Sequence, residues 1–189
     1  MDTKPFHVLS VLWIVWLFGW IAASKWAKRT RWREEWLSRA AYMIPLLAGA
    51  WLLALPPLTP QALNLRMFPS SPIVEWAGAA TAGAGLALSV WARICLGGNW
   101  SGIVALKEDH ELVRSGPYRR VRHPIYSGLI LAFIGTALTI GEFRAMIALI
   151  FFVTSFVYKL RVEERLMRTT FPAYARYCQE TWAIVPYIY

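Results

Sequence analysis

The 189 residues are 57% hydrophobic and only 16% charged, with eleven Trp. A soluble domain needs more charge to cover its surface, and apolar residues gathered in long blocks point to lipid as the solvent; the same numbers exclude disordered, collagenous, coiled-coil and disulfide-framework classes. The formal net charge of +9 falls between the apolar blocks, which is the placement of a membrane protein rather than a nucleic-acid binder.

Five blocks read as membrane helices in an all-α, polytopic fold: residues 8–23, 40–55, 73–92, 125–140 and 145–158. The first carries Trp13, Trp16 and Trp20 and is followed by Lys25, Trp26 and Lys28, a stop-transfer pattern rather than a cleavable leader. The third holds small residues, Gly78/Ala82 and Ala79/Gly83, and the fourth holds Gly128, Ala132 and Gly135, suited to close helix packing in lipid. Residues 56–72, with five prolines, read as an extended outer loop. Gly141-Glu142-Phe143-Arg144 joins the last two helices, which makes them an antiparallel hairpin.

Orientation follows from the basic residues. Seventeen of the twenty Lys and Arg lie in 24–39, 93–124 and 159–189, and only Lys4, Arg66 and Arg144 lie elsewhere. The positive-inside rule then sets the N-terminus outside and the C-terminus in the cytoplasm. Cys95 and Cys178 both fall on the cytoplasmic side, form no CxxC pair and are expected to stay reduced. The chain divides into 1–97, the first three helices, and 98–189, a catalytic region of loop, hairpin and C-terminal helix.

Two polar clusters flank the hairpin. The first runs from His110 to Gly128. Within it, Gly116-Pro117 marks a turn, and His123 stands before Pro124 at the first position of a helix. The free amides of that helix start, with Arg119, Arg120 and Arg122 near, suit an anionic group. His123 and Tyr126 both offer hydrogen bonds at one spot. The second cluster follows the fifth helix, with Lys159, Arg161, Glu163, Glu164 and Arg165; Lys159 and Glu163 share a helix face. Neither cluster has metal-ligand spacing, and no GxGxxG, P-loop, GxSxG or HExxH is present.

Together these residues resemble the integral-membrane methyltransferases typified by isoprenylcysteine carboxyl methyltransferase and related phospholipid methyltransferases. The resemblance rests on His110-Glu-Leu-Val113, Gly116-Pro-Tyr118, Arg122-His-Pro-Ile-Tyr126 with Gly128, Gly135, Glu163-Glu164, and Phe171, Tyr174 and Tyr177 in the tail ending at Pro186. It covers roughly residues 98–187. It implies S-adenosylmethionine bound at the cytoplasmic end of the last two helices. By matching position the cofactor contacts are His110, Glu111, Leu112, Val113, Tyr118, Arg122, His123, Pro124, Ile125 and Tyr126. Glu163 is implied as the acidic catalytic residue, with Glu164 beside it. Lys159 stands as the basic partner one turn earlier, where the eukaryotic pattern has arginine, and Arg161 is a further candidate. The implied substrate is a lipophilic acid methylated on its carboxylate, without metal or nucleic acid; phospholipid amine N-methylation is the alternative within the class. A non-enzymatic small transporter or lipid-binding scaffold is the alternative outside it, and would call for ionisable residues deep in the spans. Inside the five blocks only Glu75 is charged.

Overall fold

Helices α1 (Lys4–Ala23), α2 (Trp36–Ala54), α3 (Pro72–Leu96), α4 (Pro124–Ile140) and α5 (Phe143–Thr170) occupy the five apolar blocks, and a short α6 (Tyr174–Glu180) follows. The structure is a computed structural model that describes residues 4–187; residues 1–3 and 188–189, the outer ends of the two expected regions, lie outside the described residues. Four helices (α1, α2, α3 and α5) are long and apolar enough to cross a membrane, whereas α4 is a shorter apolar helix. Its 17 residues span about 26 Å at 1.5 Å per residue. Helix α5 does not stop at Tyr158 but continues to Thr170. The charged residues there pair four apart, Lys159 with Glu163 and Glu164 with Arg168, which sustains a helix beyond its apolar part.

The expected all-α class needs one correction. Strands β1 (Thr30–Arg33) and β2 (Ala105–Lys107) pair antiparallel, Thr30 opposite Lys107 and Arg33 opposite Ala105, with an irregularity between Thr30 and Trp32. The α1–α2 and α3–α4 connections run side by side, and pairing satisfies backbone groups that no helix serves.

Helices α3 and α4 form the tightest contact. A Cβ on Gly85 would stand 2.4 Å from the Ala132 amide nitrogen and 2.5 Å from the Gly128 carbonyl. One on Gly135 would stand 2.4 Å from the Ala82 nitrogen. The small residues sit seven apart on both helices, so the backbones meet with nothing between them. Of the expected pairs, Gly83 faces Leu12 of α1 instead. Helix α2 packs on α5, with Gly49 against the Ala148 carbonyl and the Phe152 ring.

Helix α1 is held by polar pins. Trp13 Nε1 donates to Thr136 Oγ1 at 3.0 Å and Trp16 Nε1 to Ser89 Oγ at 2.9 Å. Arg93, buried near the end of α3, donates to the Ala23 and Gly97 carbonyls and lies 4.2 Å over the Trp100 ring. These bonds bring side-chain donors to carbonyls at the ends of α1 and α3.

The hairpin turn is fixed at Gly141, whose φ of +67° suits a residue without a Cβ. Its N–H donates to Ala137 O, and its carbonyl accepts from Met67 N at 2.8 Å. Residues 65–67 of the proline-rich loop therefore pair with the turn, so that loop has a structural task.

Candidate active site

At the opposite end of the hairpin the two polar clusters meet. Pro124 opens α4 and His123 precedes it with φ −123° and ψ 57°, neither helical nor extended. Their position is set by the tail: Arg122 N donates to Trp182 O at 2.8 Å, His123 N to Ala183 O at 3.0 Å, and Ser127 Oγ to Ile184 O at 2.6 Å. Tyr177 donates its hydroxyl to the Tyr118 carbonyl at 2.6 Å. Residues 118–127 are thus clamped between α5 and residues 182–184.

The charged contacts cross from this segment to α5. Tyr126 donates to Glu163 Oε1 at 2.7 Å. Arg122 Nε donates to Glu164 Oε1 at 2.8 Å, while its Nη1 reaches the Cys178 and Thr181 carbonyls. His123 lies between the two carboxylates, Nδ1 3.6 Å from Glu163 and Nε2 3.4 Å from Glu164. Burial lowers the affinity of its imidazole for a proton, but the flanking carboxylates outweigh burial and hold its pKa above the ordinary value. His110 goes the other way: burial, then the charges of Lys28 and Lys107, pull its pKa down. Burial and then the Glu163 charge push the Tyr118 phenol up, keeping it neutral.

Lys159 is buried one turn before Glu163. Its ammonium donates to the Gly102 carbonyl at 2.7 Å, lies 4.0 Å from Glu163, and stands 5.4 and 5.7 Å from the ring centres of Tyr42 and Tyr126. With three donors and one carbonyl engaged, it keeps hydrogen-bonding capacity.

This cluster borders one cavity of about 940 Å³, at the upper end of the usual range for ligand pockets. Among the expected residues, His110, Glu111, Leu112, Val113, Tyr118, Arg122, His123, Ile125, Tyr126, Lys159 and Glu163 line it. Three do not. Pro124 is fully buried at the helix start, Glu164 stands behind His123 and Arg122, and Arg161 is exposed on another face of α5. Two features of the lining fit a zwitterionic, anion-bearing cofactor such as S-adenosylmethionine. His123 Nε2 is buried and makes no well-aligned hydrogen bond, its nearest acceptor being the Glu164 carboxylate at 3.4 Å, and the Ile125 and Tyr126 amides are in the first helical turn, which leaves such groups without intrahelical acceptors. Among the described residues no group of three or more His, Cys, Asp or Glu could hold a metal ion.

The cavity continues away from this polar end between α1, α2, α4 and α5. Trp13, Trp16 and Trp20 line it on α1, faced by Leu53 on α2 and by Phe133 and Phe152 on the hairpin. Trp16 and Trp20 stack with ring centres 4.7 Å apart, and Trp13 stacks on Phe133 at 4.8 Å. Sequence reading treated these tryptophans as span composition; their spacing of three and four marks one helix face. It also missed Gly102 and Tyr42, for which no local pattern exists.

A family model described as phospholipid methyltransferase matches residues 73–173. This is more than half of the chain, which therefore belongs to that family of integral-membrane methyltransferases. Over 82 residues it is 32% identical to the cobalt-zinc-cadmium resistance protein CzcN of Cupriavidus metallidurans, a match covering 42% of this chain and 38% of that protein.

Proposed function

Starting from membership of the phospholipid methyltransferase family, we propose that the chain transfers a methyl group from S-adenosylmethionine to the carboxylate of a lipophilic, isoprenylcysteine-like acid. The observation that carries this reading is Lys159, a buried ammonium on the cavity wall with donors to spare. It sits where the polar end of the cavity passes into its apolar part. An ammonium there attracts an anionic head and repels an amine.

In this reading His123, Arg122 and the first-turn amides of α4 hold the cofactor's carboxylate, and Glu163 lies near its cationic centre. Tyr118 and residues 110–113 enclose the rest. When bound, S-adenosylmethionine supplies an electrophilic methyl group. A carboxylate acceptor is already a nucleophile, so the chain's task is placement and exclusion of water. Lys159 orients the acceptor's carboxylate by a charge-assisted hydrogen bond. The aromatic wall of α1 and α4 takes the apolar tail, which enters from lipid between helices. We assign α4 as the fifth span, and the excess of basic residues sets the active end towards the cytoplasm.

One observation favours N-methylation of a phospholipid amine instead: Glu163 lines the cavity and, among the described residues, accepts one short hydrogen bond, from Tyr126, with His123 and Lys159 at 3.6 and 4.0 Å, so it is placed to take an amine's proton. Purified protein with methyl-labelled S-adenosylmethionine separates the two readings. N-acetyl-S-farnesylcysteine should acquire alkali-labile label and phosphatidylethanolamine vesicles none. Alkali-stable label on the phospholipid, with none on the acid, overturns carboxyl methylation.

A further inference from the structure

The wall that carries Lys159 rests on a second buried cluster, whose side chains come from outside the residues that the family model matches. Glu34 lies between β1 and α2, and its side chain is 2% exposed. Oε1 accepts from the Tyr42 hydroxyl and from the Val104 N–H, the latter at 3.1 Å. Oε2 accepts from Ser38 Oγ at 2.9 Å. The Arg39 guanidinium stands 4.0 Å away. A carboxylate is costly to bury unless its lone pairs are used, and here they tie α2 to the 100–105 segment seventy residues on.

Both tethers lead to Lys159. Two residues before Val104 is Gly102, whose carbonyl accepts from the Lys159 ammonium at 2.7 Å. Tyr42 presents its ring to the same ammonium at 5.4 Å. Its backbone is held from the α5 side, where Ser155 Oγ, one turn before Lys159, donates to the Tyr42 carbonyl at 2.7 Å. The alternative partner, Glu163, waits at 4.0 Å. A shift of the 100–105 segment by the length of one bond would turn the ammonium from a carbonyl to a carboxylate and end its availability to a ligand.

We infer that Glu34 is a positioning residue: by holding the Tyr42 hydroxyl and the Val104 amide it keeps the Lys159 ammonium on the Gly102 carbonyl, free to receive the anionic head of the acceptor. The inference rests on the reading of Lys159 given above, and a double-mutant cycle separates the two. In the full-length protein in detergent, binding of N-acetyl-S-farnesylcysteine is followed by tryptophan fluorescence without methyl donor. Lys159→Met should weaken it at least tenfold, and Glu34→Gln roughly fivefold, while S-adenosylmethionine affinity in Glu34→Gln stays within about twofold. The double variant should bind no more weakly than Lys159→Met alone. In Glu34→Gln the alkaline limit of acceptor binding should rise, because an ammonium turned from a carbonyl to the Glu163 carboxylate holds its proton more tightly. Additive losses in the double variant, or an unmoved alkaline limit, assign Glu34 to the fold alone and overturn the inference. Normal binding by Glu34→Gln beside weak binding by Lys159→Met does the same and leaves the acceptor site standing. Normal binding by Lys159→Met removes both. Should Glu34→Gln not fold, Tyr42→Phe, which keeps the ring and drops the hydroxyl, takes its place in the cycle.

Discussion

His123 concentrates the electrostatics of the site in one ring. Its pKa is held above the ordinary value by Glu163 and Glu164 against the effect of burial. Its charged form is therefore favoured by folding. That stabilisation is complete below the ordinary imidazole value of about 6.5 and fades as pH climbs through the raised folded value. The melting temperature of the wild type should exceed that of His123→Gln most near pH 6, and the gap should narrow as pH rises above the ordinary imidazole range; a constant gap removes the ion pairs from the account. His110, with its lowered pKa, has the opposite dependence but is common to both proteins and cancels. Glu163→Gln retains an acceptor for the Tyr126 hydroxyl and loses the charge. We expect turnover to fall at least tenfold while the melting temperature moves by no more than about 4 °C; parallel losses would make Glu163 structural. The motif residues on both sides of this contact were legible because each cluster is local and the four-residue turn dictates their meeting. Glu34, Tyr42 and Gly102 were not, since their partners lie tens of residues away and the bonds use a lone carboxylate, a phenol and a backbone carbonyl.

Helices α3 and α4 test how closely two backbones can approach. A methyl group on Gly85 has no space, with backbone atoms of α4 at 2.4 to 2.9 Å from its Cβ position. Gly85→Ala should cost about 1–3 kcal/mol of overpacking and lower the melting temperature by roughly 2–12 °C. Gly19, in α1, has nothing within 4 Å of its Cβ position, so Gly19→Ala should be neutral or gain up to about 1 kcal/mol from helix propensity. Thermal unfolding of both variants in one detergent checks the contrast, and equal effects would refute the packing account. Small residues at 78, 82, 128, 132 and 135 announced this interface in the sequence; the close contact at Gly85 emerges only from the structure. The β1–β2 pair gave no such sign: Thr-Arg-Trp-Arg and Ala-Leu-Lys are too short for an alternating pattern, and their pairing depends on connections brought together by the helices. The apolar block of α5 ends at Tyr158 while its helix runs on to Thr170, as the shared helix face of Lys159 and Glu163 implied.

For the molecule as a whole, the membrane orientation remains the reading most open to direct trial. Cys95 and Cys178 are both half-buried near the active end, Cys95 beside Gly116 and Cys178 beside Arg168. In intact cells an impermeant maleimide should leave both unmodified, and permeabilisation should expose at least one; labelling of either in intact cells inverts the topology. The brevity of α4 has a further consequence. With α4 as the proposed fifth span, a helix of about 26 Å inside a hydrocarbon layer of about 30 Å would start below the headgroups and place His123 and Lys159 at the depth where the polar end of an amphiphile already rests. The acceptor need not be drawn out into water to react. At about 0.8 kcal/mol for each methylene exposed, pulling a fifteen-carbon tail from the bilayer would cost on the order of 12 kcal/mol, and a recessed reaction centre avoids that extraction altogether.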